Sequence, residues 1–308
     1  MRIGLMLGDI IGPSTVQDQV QQAVDAENDG FDTAWFGQLF GIDALTITAL
    51  AGAATSRIEL GTGVIPTFPR HPYVMAQQAL TVQGATNNRF VLGIGVSHEI
   101  VIKSMYGLSY DHPARHMKEY LSVLRPLLRD GRVGFQGQMY RTAANLSVPG
   151  TKPMQLLLAA LAPKMLHLAG AVADGTMLWM SGLKTIESHV IPLITAAAAD
   201  AGRPAPRIVA GLPICVTEDV AAGRDAASKV FQMYGQLPNY RRMLDREGAA
   251  GPGDVAIVGD EASVEKQLRA LASVGVTDLV APIYGTGDDR DASVARTRAL
   301  LKSLVGKI

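Results

Sequence analysis

Four times along the chain a helix-like stretch closes on a small or acidic residue and is followed at once by a short apolar run. The segments are "AENDGFDTAWF" (26–36), "QGATNNRFVLGIGV" (83–96), "AGAVADGTMLWM" (169–180) and "LASVGVTDLVAPI" (271–283). Glycine just past a helix supplies a left-handed cap, and an uninterrupted apolar run suits a strand buried on both faces. Reading the same rhythm from end to end predicts strands near 2–7, 32–36, 58–65, 89–94, 154–159, 174–179, 207–216 and 278–283, each followed by a helix. Eight βα units in 308 residues fit a closed α/β (β/α)8 TIM barrel, a single domain over 1–308, better than a doubly wound pair of lobes.

Three segments break the rhythm. Residues 97–115 and 131–152 read as insertions, the second a hairpin around Gln136-Gly137, and 237–260 reads as a mobile loop. Insertions that follow barrel strands stand over the C-terminal mouth, where sites are built.

Composition narrows the chemistry. The formal net charge is +0, with 18% charged residues, so nothing recruits nucleic acid or an anionic membrane, and a small molecule is the better partner. No apolar stretch reaches the ~18 residues of a membrane span, the N-terminus lacks a signal-peptide pattern, and the expected compartment is the cytoplasm. The one cysteine, Cys215, reads as a buried structural thiol and excludes an intrachain disulfide. The six histidines form no metal-binding spacing, and no metal site is expected. His112 precedes a helix start, and His116 faces solvent or the insertion. Neither G-x-S-x-G nor the phosphate loop G-x-x-x-x-G-K-[ST] occurs, and "GIGVSH" at 93–98 fails the third glycine of a dinucleotide fingerprint.

What remains are strand ends rich in small residues: "RIELGTGVIP" (57–66), "FVLGIGVSHE" (90–99), "LLLAALAPKM" (156–165) and "MLWMSG" (177–182). Small residues there let a flat ligand approach the main chain. Pro163 suits the first turn of a helix, and the amides before it could face a phosphate. Arg115 and Glu119, four apart, read as a structural ion pair.

Several of these stretches carry a family resemblance: "GFDTAWFGQLFGIDAL" (30–45), "LGTGVIPTFPRHPYVMAQQALTVQGATNNRFVLGIGVSHE" (60–99), "RHMKEYLSVLRPLL" (115–128), "LLLAALAPKMLHLAGAVADGTMLWMSG" (156–182) and "VEKQLRALASVGVTDLVAPI" (264–283). In these the chain resembles the bacterial luciferase-like oxidoreductases, in particular the branch that uses coenzyme F420. The resemblance implies a tricyclic cofactor ring at the mouth, pressed by a bulge with a non-prolyl cis peptide at Gly63–Val64 next to Thr62. It implies that Gly95, Val96 and Ser97 border the ring, with His98 and Glu99 beyond them. Ala159, Ala160, Leu161, Ala162 and Pro163 would hold the phosphate-bearing tail, with Ser181 and Gly182 nearby. A homodimer is implied as well.

One position departs from the pattern. Where many F420 relatives have an acidic residue followed by His, this chain has Gln38-Leu39. Gln38 can hydrogen-bond to a ring or substrate but cannot exchange a proton. The acid must then come from elsewhere, with Glu99 first, His98 and Tyr284 next, and Asp9 behind them. The reading is an F420-dependent reductase that passes a hydride to a C=N, C=C or C=O bond. Its alternatives are an FMN-dependent monooxygenase on the same fold and a non-catalytic barrel that binds F420 or flavin. "YGQLPNYRRMLDREG" (234–248) is a candidate lid; its Tyr240, Arg241 and Arg242 could meet an anionic substrate, but read first as a solvated helix face.

Overall fold

A computed structural model describes residues 1–10 and 12–308. In chain order it comprises β1 (Arg2–Leu7), α1 (Val16–Asn28), β2 (Thr33–Phe36), α2 (Ala44–Ala54), β3 (Glu59–Thr62), β4 (Ile65–Pro66), α3 (Pro72–Ala85) and β5 (Phe90–Gly95). A π turn, Val101–Met105, then leads to α4 (Pro113–Asp130), β6 (Arg132–Gln136), β7 (Arg141–Asn145), β8 (Gln155–Leu158), α5 (Pro163–Ala171) and β9 (Gly175–Trp179). Next come α6 (Leu183–Thr185), a second π turn Ile186–Val190, α7 (Ile191–Asp200), β10 (Arg207–Gly211) and β11 (Ile214–Val216). The chain closes with α8 (Val220–Val230), α9 (Gln232–Gln236), α10 (Pro238–Glu247), α11 (Pro252–Val255), β12 (Ile257–Gly259), α12 (Glu261–Ser273), β13 (Asp278–Ala281) and α13 (Arg290–Leu304).

The strands pair in parallel in the order β3-β2-β1-β13-β10-β9-β8-β5, and β3 pairs with β5 to close the ring. This is the (β/α)8 barrel expected from the apolar rhythm. Alternation along each strand sorts the side chains into two layers. On β1, Ile3, Leu5 and Leu7 pack outward with the helices. Met6 instead joins Trp35, Val91, Leu157, Met177, Val209 and Val280 inside the ring. Burying a large apolar side chain contributes about 1.5–3 kcal/mol, so these two layers dominate the fold's stability.

The lower end of the barrel is plugged by charge. Arg207 bonds Asp278 (Nε to Oδ2, 2.9 Å), Glu59 (2.7 Å) and Gln155 (2.6 Å), and its guanidinium lies 5.7 Å from the centre of the Trp35 ring. Each buried charge there has a partner, as burial requires.

Three predicted elements differ. The run 58–65 is broken at residues 63–64 into β3 and β4. The run 207–216 is not one strand, because Pro213 has no N–H to give the ladder. β10 ends at Gly211, and β11 leaves the barrel to pair with β12. Residues 237–260 are not a loop: Pro238 opens α10, which buries Met243 and Leu244, and Gly248 closes it in the left-handed conformation (φ 82°). The hairpin is found where expected, as β6 and β7, with Gly137–Tyr140 as its turn. No helix among the described residues is long and apolar enough to cross a membrane.

Candidate active site

The C-terminal ends of β3, β5, β8 and β9 build one continuous stretch of the rim. Leu60 and Gly61 stand opposite Phe90 and Val91, and Ile65 and Pro66 opposite Ile94 and Gly95. Residues 62–64 therefore face only 92–93, which is a β-bulge, and Gly63–Val64 is a cis peptide bond. Thr62 is buried, and its hydroxyl accepts from Gly93 N and donates to Gly93 O, both at 3.0 Å. Gly63 and Val64 are half-buried at the mouth.

Glycine makes room for that bulge. A methyl group on Gly93 would stand 2.0 Å from Thr62 O, and one on Gly95 would stand 2.9 Å from Val64 Cγ2 and 3.1 Å from Ala159 Cβ. Val64, Gly95 and Ala159 thus adjoin one another as a shelf of small and apolar residues at the ends of three neighbouring strands. Gly37, which precedes Gln38, approaches the same bulge at Gly63 O. The side-chain oxygen of Gln38 accepts from Ala44 N at the start of α2 (2.9 Å).

Beyond the shelf, Val96, Ser97 and His98 are half-buried, and Ser97 has φ 59°. Two side chains pin this segment: Thr67 Oγ1 donates to Gly95 O (3.2 Å), and Tyr110 Oη donates to Ser97 O (3.1 Å). The His98 ring packs 5.3 Å from Tyr240 of α10, and burial lowers its pKa, leaving a neutral imidazole at pH 7. Glu99 is at the rim: its side chain is 63% exposed and bonds Lys103 at 2.7 Å. Asp9 accepts from Ser14 and Gln19. Tyr284, three residues past the end of β13, is buried, with its hydroxyl donating to Gly223 O of α8 (3.0 Å).

On the next strand, Ala159 N bonds Ile94 O (2.8 Å) and Ala162 is the N-cap residue of α5, with no side-chain cap. The N–H groups of Ala160, Leu161, Ala162 and Lys164 have no acceptor among the described residues, and Pro163 has none to donate. Orphan amides at a helix N-terminus favour an anion. The N-terminus of α6 is different. Glu247 of α10 accepts from Lys184 N (3.1 Å), Thr185 N (2.8 Å) and Thr185 Oγ1 (2.6 Å). A side chain on Gly182 would meet that carboxylate. Ser181 is 1% exposed, and neither its hydroxyl nor the buried Trp179 Nε1 has a hydrogen-bond partner among the described residues.

Tyr240 is not on a solvated face, because it packs on Tyr234, which in turn packs on Trp179 (ring centroids 5.4 Å apart in each pair). These rings and His98 wall the mouth under α9 and α10. Of the two surroundings expected for His116, it has the insertion and not solvent: it is 2% exposed, stacked 3.8 Å from Phe68, and bonded through Nε2 to Thr67 Oγ1 (2.9 Å). Its other nitrogen meets Tyr140 of the insertion (3.3 Å), and burial lowers its pKa to about 4. Glu119 serves the hairpin turn more than Arg115. It accepts from Gln138, Met139 and Tyr140 N–H at 2.8–3.1 Å; burial opposes its charge, but these bonds hold its pKa below the ordinary value.

The signal for Thr67, Tyr110, His189 and Glu247 was weak in the sequence, since each acts on a backbone far along the chain.

The mouth thus sets a small-residue shelf beside backbone amides that have no acceptor among the described residues. The chain belongs to the luciferase-like monooxygenase family, whose model matches residues 2–305. A Mycobacterium tuberculosis protein named "Putative coenzyme F420-dependent oxidoreductase" is 28% identical over 344 aligned residues, covering 94% of this chain and 97% of its own. The coenzyme F420 dependent tetrahydromethanopterin reductase of Methanopyrus kandleri superposes with a TM-score of 0.80 at 20% identity, over 100% of this chain and 98% of that one. The FMN complex of a type II Baeyer–Villiger monooxygenase, the oxygenating constituent of 3,6-diketocamphane monooxygenase of Pseudomonas putida, gives 0.74 at 15% identity, over 100% and 97%.

Proposed function

We propose that the protein is an F420-dependent oxidoreductase acting as a reductase on a C=N, C=C or C=O bond of a small organic substrate. The observation that carries this reading is the open amide row of Ala160, Leu161, Ala162 and Lys164 next to the Val64–Gly95–Ala159 shelf. The donors suit the phosphate of the tail, and the glycine-lined shelf suits a planar ring. The M. tuberculosis relative's name points to the same cofactor.

Reduced F420, when bound, supplies a hydride at the deazaflavin ring. The chain's own groups do the rest. Gly63, Val64, Gly95, Val96 and Ser97 support one face of the ring, and the amides before α5 hold its tail, with Ser181 and Gly182 beside them. The aromatic wall of Trp179, Tyr234 and Tyr240 encloses the substrate and excludes water. His98, neutral at pH 7, donates or accepts a hydrogen bond, and Glu99 passes protons from solvent at the rim. With Glu99 paired to Lys103, a C=N acceptor that arrives already protonated matches these groups best.

The same amide row would take the phosphate of FMN, and the likeness to an FMN-bound structure keeps a monooxygenase as the second reading. The test is anaerobic turnover of reduced F420 with a panel of imines, enones and ketones, set against oxygen consumption with reduced FMN. Reoxidation of F420 without oxygen supports the reductase, and oxygen uptake with FMN alone supports its rival. A Glu99→Gln variant with full turnover would remove Glu99 from the proton path.

A further inference from the structure

His189 stands in the π turn Ile186–Val190, is 7% exposed, and holds Leu161 O through Nε2 at 2.8 Å. That bond crosses from the βα unit of β9 to the loop that opens α5. In a trans peptide the C=O and the following N–H point to opposite sides. Drawing Leu161 O toward His189 therefore turns Ala162 N–H the other way, and Ala162 is exposed with no acceptor for that N–H among the described residues.

We propose that His189 is a positioning residue for the anion site: by tying back the Leu161 carbonyl it fixes the amide row that receives the cofactor's phosphate. The inference rests on the functional reading above, in which those amides hold the tail. Without the tie, the Leu161–Ala162 peptide is free to turn, and a carbonyl oxygen can then face the phosphate where an N–H should. The neighbouring α6 offers no substitute, because Glu247 already occupies its N-terminal amides. Position 189 thus acts on affinity for an anion without touching it.

The test compares wild type, His189→Phe and His189→Gln by fluorescence titration with two probes: F420 and its phosphate-free deazaflavin riboflavin analogue, which carries the same ring. Phe lacks the donor, whereas the Gln amide reaches about as far as Nε2. His189→Phe is expected to weaken F420 about tenfold or more, the cost of misplacing one charge-assisted hydrogen bond. Affinity for the phosphate-free ring should stay within about twofold, and His189→Gln should restore F420 binding. A folded His189→Phe protein that binds F420 like wild type, or that loses both probes equally, overturns the inference. If Phe is not accommodated, the smaller His189→Asn, which cannot reach Leu161 O, carries the same expectation. A wild type that ignores F420 contradicts the functional reading instead; the role of His189 is then decided by titration with inorganic phosphate, which His189→Phe must weaken.

Discussion

The hydroxyl of Thr62 takes the place of a missing ladder partner for Gly93, accepting from its N–H and donating to its C=O at 3.0 Å each. At the bulge the backbone of β3 no longer faces β5 in register, and this side chain satisfies both groups of Gly93. Thr62→Val keeps the shape and removes both bonds, leaving a buried N–H unpaired. The expected loss is about 1–3 kcal/mol, read as a lower urea midpoint with unchanged slope. An unaltered midpoint would show that the hydroxyl does not repair the ladder.

The two glycines across from the bulge should respond differently to alanine. At Gly93 the new methyl group would meet backbone, Thr62 O at 2.0 Å, which cannot move without dismantling β3. Gly93→Ala is expected to give little folded protein. At Gly95 the neighbours are the side chains of Val64 and Ala159, at 2.9 and 3.1 Å, which can shift by tenths of an ångström. Gly95→Ala should fold, with a loss of about 1–3 kcal/mol typical of overpacking, and bind ligand more weakly because the shelf is raised. Circular dichroism and a ligand titration on both variants check this.

The barrel was legible because its buried parallel strands are short apolar runs, four of them preceded at once by a helix end on small or acidic residues, a signal that lies within ten residues. Features made by distant partners were not. The cis peptide stands at Gly63–Val64, where the family resemblance places it, but spacing alone would not have located it. Glu119 lies four residues from Arg115, the helical spacing of an ion pair, yet its carboxylate is claimed by three amides of a hairpin turn about twenty residues away. His116 meets the insertion through Tyr140, one of its two expected surroundings, while its stack on Phe68 and bond to Thr67 come from another βα unit and left no local signal. In 237–260 the glycines suggested a loop, whereas they end and start helices around the buried Met243 and Leu244.

Acid stability should fall in two windows. His116 has an ordinary pKa of 6.5 and, held neutral by burial, one of about 4 in the fold. The unfolded chain therefore binds this proton first. The stabilising contribution is complete above pH 6.5, declines as pH falls toward 4, and is gone below it. Glu27 acts lower. Burial opposes its charge, but N–H groups of Ile58, Ser56 and Arg57 bring its pKa from 4.5 to about 2. Its contribution is present above pH 4.5 and is lost as pH falls through 2. Denaturant unfolding from pH 7 to 4.5 should show a slope that His116→Phe flattens and Glu27→Gln leaves in place.

In the function proposed above, the mouth holds a deazaflavin by its ring and its phosphate. The most direct test is a pair of titrations of the purified protein with oxidised F420 and with FMN, followed by absorbance and fluorescence. Saturable binding of F420 at one per chain, tighter than FMN and weakened by competing inorganic phosphate, is the expected result. Tight binding of FMN with no response to F420, or no binding of either, would contradict it.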